Sequence, residues 1–149
     1  MKALLQRVTQ ASVVVDGSTV GAIDHGLLVL VGIEPADTEA TARRMIERLL
    51  NYRVFGDDQG RMNLSVKDVA GGLLLVSQFT LAADTRQGNR PGFSTAAAPA
   101  DAERLFNWLV DYAATQYQPV ATGQFGAHMT VSLVNDGPVT FLLDVGPSA

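Results

Sequence analysis

The sequence predicts a largely antiparallel α+β fold with two main helices, in a single domain spanning residues 1–149. Three observations predict it. Short β-branched or apolar runs recur between tight turn signals. Two stretches carry apolar residues at helical spacing. The order runs strands, helix, strands, helix, strands, which is not the steady alternation of a doubly wound sheet. With 149 residues, 47% hydrophobic and 17% charged, the chain has the length and apolar content of one globular core and is excluded from the disordered class.

Ala11–Val15 is β-branched and ends on Asp16-Gly17, a hairpin turn pair, so Thr19–Ile23 is its return strand. Gly26–Ile33 is continuously apolar, as a strand buried on both faces would be, and Glu34-Pro35 ends it. Ala42, Met45, Ile46, Leu49 and Leu50 follow the i, i+3, i+4, i+7, i+8 rule of one helical face, with Asp37 or Thr38 as cap. Arg53-Val54-Phe55 and Leu64-Ser65-Val66 flank Gly56–Gly60, a second hairpin loop. Gly71-Gly72 leads into a buried strand, Leu73–Val76, which runs on into Ser77-Gln78-Phe79-Thr80. Residues 83–99 form a long loop, the kind that in compact domains tends to be functional. Pro99, with Asp101 and Glu103 in the first turn, opens a second helix whose buried face is Leu105, Phe106, Leu109, Val110 and Ala113, and Pro119 ends it. Thr130–Val134 and Val139–Val145 close the chain as two strands, with Asn135-Asp136-Gly137-Pro138 as the turn between them.

Composition and motifs exclude several kinds of chemistry. The chain has no cysteine, so thiol nucleophiles, disulfide scaffolds and thiolate metal sites are ruled out. No metal-ligand spacing, nucleophile elbow, phosphate loop or dinucleotide fingerprint occurs, and no metal or cofactor is expected. His25 reads as a turn residue, and His128 as a lone histidine without a placed partner. Lys and Arg number 11 against 15 Asp and Glu, a net charge of −4, which argues against a protein that grips nucleic acid mainly through non-specific backbone charge. No Lys or Arg follows Arg104. Arg43, Arg44 and Arg48 lie off the apolar stripe of the first helix, as a local basic patch or as a solvated face. The N-terminus turns polar too soon for a signal peptide and the longest apolar run is too short to span a bilayer. The expectation is a cytoplasmic protein without membrane contact.

Two segments stand out. Ser77-Gln78-Phe79-Thr80 places two hydroxyls and an amide at the end of an apolar strand, where they line a pocket or simply fray. Gly137-Pro138-Val139-Thr140 sits at a strand entrance. Glycine accepts almost any backbone geometry and X-Pro bonds reach the cis form at a cost of only ~0.5–1 kcal/mol. The pair is therefore able to present two successive carbonyl oxygens in an unusual arrangement, or to form an ordinary turn.

Together, Ser77-Gln78-Phe79-Thr80-Leu81 and Asn135-Asp136-Gly137-Pro138-Val139-Thr140 resemble the paired signature motifs of D-aminoacyl-tRNA deacylases. The resemblance runs nearly end to end, through Leu5-Gln6-Arg7-Val8, the 13–17 hairpin, residues 27–33, Arg53-Val54-Phe55, Met62-Asn63 and Phe125-Gly126-Ala127. One loop departs: the family's usual Lys-Gly-x-Arg-Pro-Ser-Phe reads here Gln87-Gly88-Asn89-Arg90-Pro91-Gly92-Phe93. A cation and a hydroxyl are missing, with Arg86 and Arg90 the cations at hand.

The resemblance implies a β-barrel-like α+β domain that works as a homodimer, with the active site at the subunit interface. It implies hydrolysis of the ester between a D-amino acid and the 3′-terminal adenosine of tRNA, and of mischarged glycyl-tRNA. Gly137 and Pro138, in the cis form, enter the partner's pocket as a chiral filter that leaves no space for an L side chain. Val139 belongs to the same substrate-binding motif, and Arg7 helps hold it. Ser77, Gln78, Phe79 and Thr80 form the catalytic group: backbone N–H groups near Phe79 and Thr80 stabilise the oxyanion, and Ser77 and Gln78 orient the adenosine or amino acid. Thr80 either positions the substrate while the RNA's 2′-hydroxyl assists water, or is itself the nucleophile. Two readings from other classes stay open, a non-catalytic nucleic-acid-binding module and an esterase for small metabolites.

Overall fold

The computed structural model describes residues 1–147. Its backbone is organised around one long strand, β1 (Lys2–Val15), which bonds β3 (Gly26–Gly32) along its first half, β2 (Ser18–Ile23) along its second half, and β8 (Thr130–Asp144) along nearly all of its other edge. These three pairings are antiparallel. β3 then pairs in parallel with β6 (Gly72–Ser77), and β6 in parallel with β7 (Val120–Thr122), so the path β2-β1-β3-β6-β7 is a mixed sheet. Its two ends curl back toward each other. A Cβ built on Gly21 of β2 would lie 2.1 Å from the Thr122 carbonyl oxygen of β7, so only glycine permits this approach and the near-closed, barrel-like shape that follows. β4 (Phe55–Gly56) and β5 (Met62–Leu64) form a separate small hairpin.

The two faces of the sheet explain its apolar runs. Leu27, Val29, Val31, Leu73 and Leu75 face one core with Met45, Ile46 and Leu49 of α1 (Glu39–Asn51) and Leu105, Phe106 and Leu109 of α2 (Pro99–Gln116). Leu28, Leu74 and Val76 face a second core with Val8, Ala11, Val13 and Ile23. A strand buried on both sides has no polar face to alternate, hence the unbroken Leu and Val of β3 and β6. β1 changes core midway, with Ala3 and Leu5 in the first and Val8, Ala11 and Val13 in the second. The change coincides with register shifts against β8 at Gln6/Val8 and Val8/Gln10, because a slip of one residue turns a strand's side chains over.

Local signals account for the helices and turns. Thr38 caps α1, its hydroxyl accepting from Thr41 N while the Thr41 hydroxyl accepts from Thr38 N. Asp37 instead accepts from the Glu34 N–H at 2.7 Å and, with Glu34, holds the Met1 ammonium at 2.8 and 2.7 Å. Asp16 and Gly17 adopt φ of 49° and 79°, the mirror-image hairpin turn their sequence predicts. The structure corrects one expectation about the end of the chain. Asn135-Asp136-Gly137-Pro138 is no hairpin turn between two strands: both flanks pair with the same strand, β1, in the same direction, and the segment swells out between them.

Candidate active site

β6 ends at Ser77, and the Gln78 N–H donates to the Val31 carbonyl at 2.8 Å, the last bond to β3. The chain then winds into a single 3-10 turn, Phe79–Ala82, with Leu81 N–H donating to Gln78 O at 3.2 Å and Ala83 N–H to Thr80 O at 3.1 Å. The first donors of any helical turn have no partner inside it. Among the described residues no hydrogen bond uses the Phe79 or Thr80 N–H. Two consecutive backbone donors are thereby left free where the strand stops. The Thr80 hydroxyl accepts from the Gln78 side-chain amide, and its neighbour is thus a donor rather than a base.

Ser77, Gln78 and Phe79 line a cleft of about 620 Å³, with Thr80 the next residue along the chain. Ser77, Gln78 and Phe79 form one wall; Ala96–Pro99 and Ala102, at the start of α2, form another; Phe125–Met129 and Val131 form the third. Phe79 is 59% exposed, and its ring packs on Phe93 at 5.2 Å between centroids, tilted 55°. Phe125 packs on Phe106 of the core at 6.3 Å. Aromatic faces and alanine methyls make a slot suited to a flat ring. Sequence reasoning did not single out Phe93, 96–99 or Met129 as site residues, and noted Phe125-Gly126-Ala127 only as part of a matching frame. His128, a lone histidine by its sequence, stands exposed at the rim of this cleft. Among the described residues no three His, Asp or Glu side chains gather as a metal set.

The second motif lies elsewhere. Thr140 is opposite Gln6 and Asn135 opposite Val8, so residues 136–139 face the single residue Arg7. The Asn135 side-chain amide bridges the gap: Nδ2 donates to Val139 O at 3.0 Å and to Arg7 O at 2.9 Å, and Oδ1 accepts from Val139 N at 3.1 Å. One primary amide replaces the peptide unit missing from the ladder. Arg7 holds the other side, donating through Nε to Asp136 O at 2.9 Å and through Nη1 to Val54 O at 2.7 Å. Val139 is buried in the main core, whereas Asp136, Gly137 and Pro138 are exposed. The Gly137–Pro138 peptide bond is cis, as is Gln118–Pro119.

The two motifs do not meet within the chain. Ser77 is opposite Val31, and the swelling is opposite Arg7, which pairs with Leu27. Four residues along β3 and three strand spacings across the sheet separate them, on the order of 20 Å. β8, which carries the second motif, bonds only β1 among the described residues and exposes Val134 (47%), Phe141 (36%) and Leu142 (53%). A long free edge with apolar side chains is a template for association.

Comparison with known proteins gives these features a context. A family model described as D-Tyr-tRNA(Tyr) deacylase matches residues 4–144. A protein of Marinomonas sp. (strain MWYL1) named D-aminoacyl-tRNA deacylase is 64% identical over 144 residues, covering 97% of this chain and 100% of its own. One of the same name from Pseudomonas aeruginosa (strain LESB58) is 66% identical over 144 residues, covering 97% and 99%. Among solved structures, the c-Myc DNA Unwinding Element Binding Protein superposes with a TM-score of 0.93 at 42% identity, over 99% of this chain and 100% of that one. A probable eukaryotic D-amino acid tRNA deacylase shares the fold, with a TM-score of 0.85 at 16% identity over 97% and 98%.

Proposed function

This chain belongs to the D-Tyr-tRNA(Tyr) deacylase family, and on that premise we propose that its domain, residues 1–149, hydrolyses the ester joining a D-amino acid to the terminal ribose of a tRNA. The products are the free D-amino acid and the tRNA. The observation that carries the reading is the pair of free N–H groups on Phe79 and Thr80 beside an aromatic cleft.

Attack of water on the ester carbonyl puts negative charge on its oxygen, and two fixed amide donors stabilise that charge without reorganising. The terminal adenine lies among Phe79, Phe93 and Phe125, with Ser77 and Gln78 orienting the adenosine or the amino acid. Thr80 is a positioning group. Its hydroxyl is bonded to an amide, which takes no proton at neutral pH, so activation of water falls to the RNA's own 2′-hydroxyl. The ribose oxygen leaves with the proton that water gives up.

Gly137 and Pro138 act as the chiral filter in the pocket of a second copy. Support for this comes from their exposure, from the Asn135 and Arg7 bonds that hold them outward, from their distance from the cleft of their own chain, and from the free apolar edge of β8. Main-chain carbonyls against the substrate's α-carbon leave no volume for an L side chain, which is exclusion rather than attraction. Glycine, with no side chain to test, passes, so mischarged glycyl-tRNA is a second substrate. The enzyme works as a homodimer in the cytoplasm.

Deacylation of D- and L-tyrosyl-tRNA by the wild type and by Gly137→Ala tests the reading. The wild type is expected to spare the L-ester and the variant to hydrolyse it; unchanged discrimination would remove the filter from Gly137. The neighbour with a DNA-binding name favours a second reading, a nucleic-acid-binding protein without catalysis. Purified protein that binds tRNA and leaves both esters intact would establish that one instead.

A further inference from the structure

The loop after the 3-10 turn builds a second depression, of about 410 Å³, lined by Asp84, Arg86, Gln87, Arg90, Gly92 and Ser94. The loop is closed at its base like a short hairpin, with Asp84 N–H donating to Gly92 O at 2.7 Å and Gly92 N–H to Asp84 O at 3.0 Å. Inside it the two guanidinium groups differ. Arg86 is oriented by Asp84, donating from Nε and Nη2 to the two carboxylate oxygens at 2.9 Å each. That fork occupies one edge of the guanidinium and leaves Nη1 open. Arg90 makes no ion pair among the described residues. The basin therefore holds two cations against one carboxylate, in a chain whose net charge is −4. Its lining donors are two guanidinium groups, an amide and a hydroxyl, which suit an anion with several oxygens.

Its position suggests which anion. Gly92 and Ser94 line the basin, while Phe93 between them lines the aromatic cleft and packs at a tilt against Phe79. One residue separates a slot for a flat ring from a seat for negative oxygens, which is how base and backbone lie in a nucleotide strand. We propose that the basin binds backbone phosphates of the tRNA's single-stranded acceptor end, through Arg90 and the open edge of Arg86. The inference rests on the deacylase reading and adds the contact that holds the strand while its terminal base occupies the cleft. An acidic protein has no diffuse attraction for RNA, and a local seat of this kind supplies the grip.

The test compares two substrates, D-tyrosyl-tRNA and the D-tyrosyl ester of adenosine, which carries no phosphate. In the protein with both Arg86→Gln and Arg90→Gln, KM for D-tyrosyl-tRNA is expected to rise about ten-fold, and the slope of log(kcat/KM) against log salt to flatten by about 0.7 for each phosphate the basin no longer neutralises. Hydrolysis of the adenosine ester stays at the wild-type rate, which also shows that the variant is folded. Arg90→Lys, in an otherwise wild-type chain, keeps most of the affinity. A double variant with wild-type KM and salt slope, or one that is impaired equally on both substrates, overturns the inference. Wild-type protein that hydrolyses neither ester overturns the deacylase reading instead, and this inference with it.

Discussion

The segment at 77–80 ends a strand and the swelling at 135–139 interrupts one, and the chain uses them in opposite ways. The first leaves backbone donors free beside a cleft lined by residues of its own chain. The second satisfies its backbone with Asn135 and Arg7 and presents Gly137 and Pro138 to solvent. Unused donors beside a cavity suit chemistry. A braced, outward-facing backbone suits a wall for another molecule's site. Within one copy of the chain the two segments lie apart.

The largest effect expected from breaking this arrangement comes from Phe79→Pro. Proline fits the first position of a helical turn, and Gln78 before it, at φ −142° and ψ 83°, lies outside the helical region that a following proline disfavours, so the change removes one free N–H. Removal of one oxyanion donor predicts a fall in kcat of about 10²–10³, measured in single-turnover deacylation of D-tyrosyl-tRNA. Next comes Gly137→Ala. Its Cβ would stand 2.0 Å from Val139 N, so the segment must shift. Hydrolysis of the L-ester should rise about 100-fold, equivalent to about 2.7 kcal/mol of weakened exclusion, with the D-ester little changed.

Asn135→Ala separates the two roles further by removing the brace and leaving the filter residues in place. Three hydrogen bonds to half-buried backbone disappear, which predicts about 1–3 kcal/mol less stability in urea unfolding together with weakened D/L discrimination. An equal fall of kcat on both esters would place Asn135 on the cleft side instead. Phe93→Ala removes one face of the slot, and aromatic stacking on a base, about 1–3 kcal/mol, predicts a KM increase of at least about five-fold. The smallest effect concerns pH. The Arg86 hydrogen bonds hold the Asp84 carboxyl at about 2, below its usual 3.8. A lowered folded-state pKa means the pair's contribution is full above 3.8 and disappears as pH falls through about 2. KM between pH 5 and 9 should therefore carry no step from this loop, and NMR titration of Asp84 locates its midpoint.

Much of this was legible in the sequence, and the failures have physical causes. Helical periodicity gave α1 and α2, and the apolar runs at 26–33 and 73–76 gave the two strands buried on both faces. β7 went unseen because three residues, Val120–Thr122, carry no periodicity and are recruited by β6. The first half of β1 was not read as a strand, because the alternation of β1 breaks where it passes from one core to the other. Asn135-Asp136-Gly137-Pro138 has the composition of a turn. A side-chain amide standing in for a peptide unit lets the strand continue, and no local propensity encodes that. Residues 77–80 and 137–139 stand out as motifs in the sequence, while the alanines at 96–98 and Met129 acquire meaning only when the fold brings them around one cleft.

Whether the cleft of one copy is completed by the Gly137-Pro138 segment of another is decided by mixing subunits. Gly137→Ala protein, with an intact cleft, is refolded with an excess of Phe79→Pro protein, whose 135–139 segment is intact. If the site is shared across a twofold dimer, nearly every working cleft then faces an intact segment. Hydrolysis of L-tyrosyl-tRNA should fall back toward the wild-type level while hydrolysis of the D-ester persists. L-ester hydrolysis that stays unchanged however much Phe79→Pro partner is added would contradict a site shared between copies.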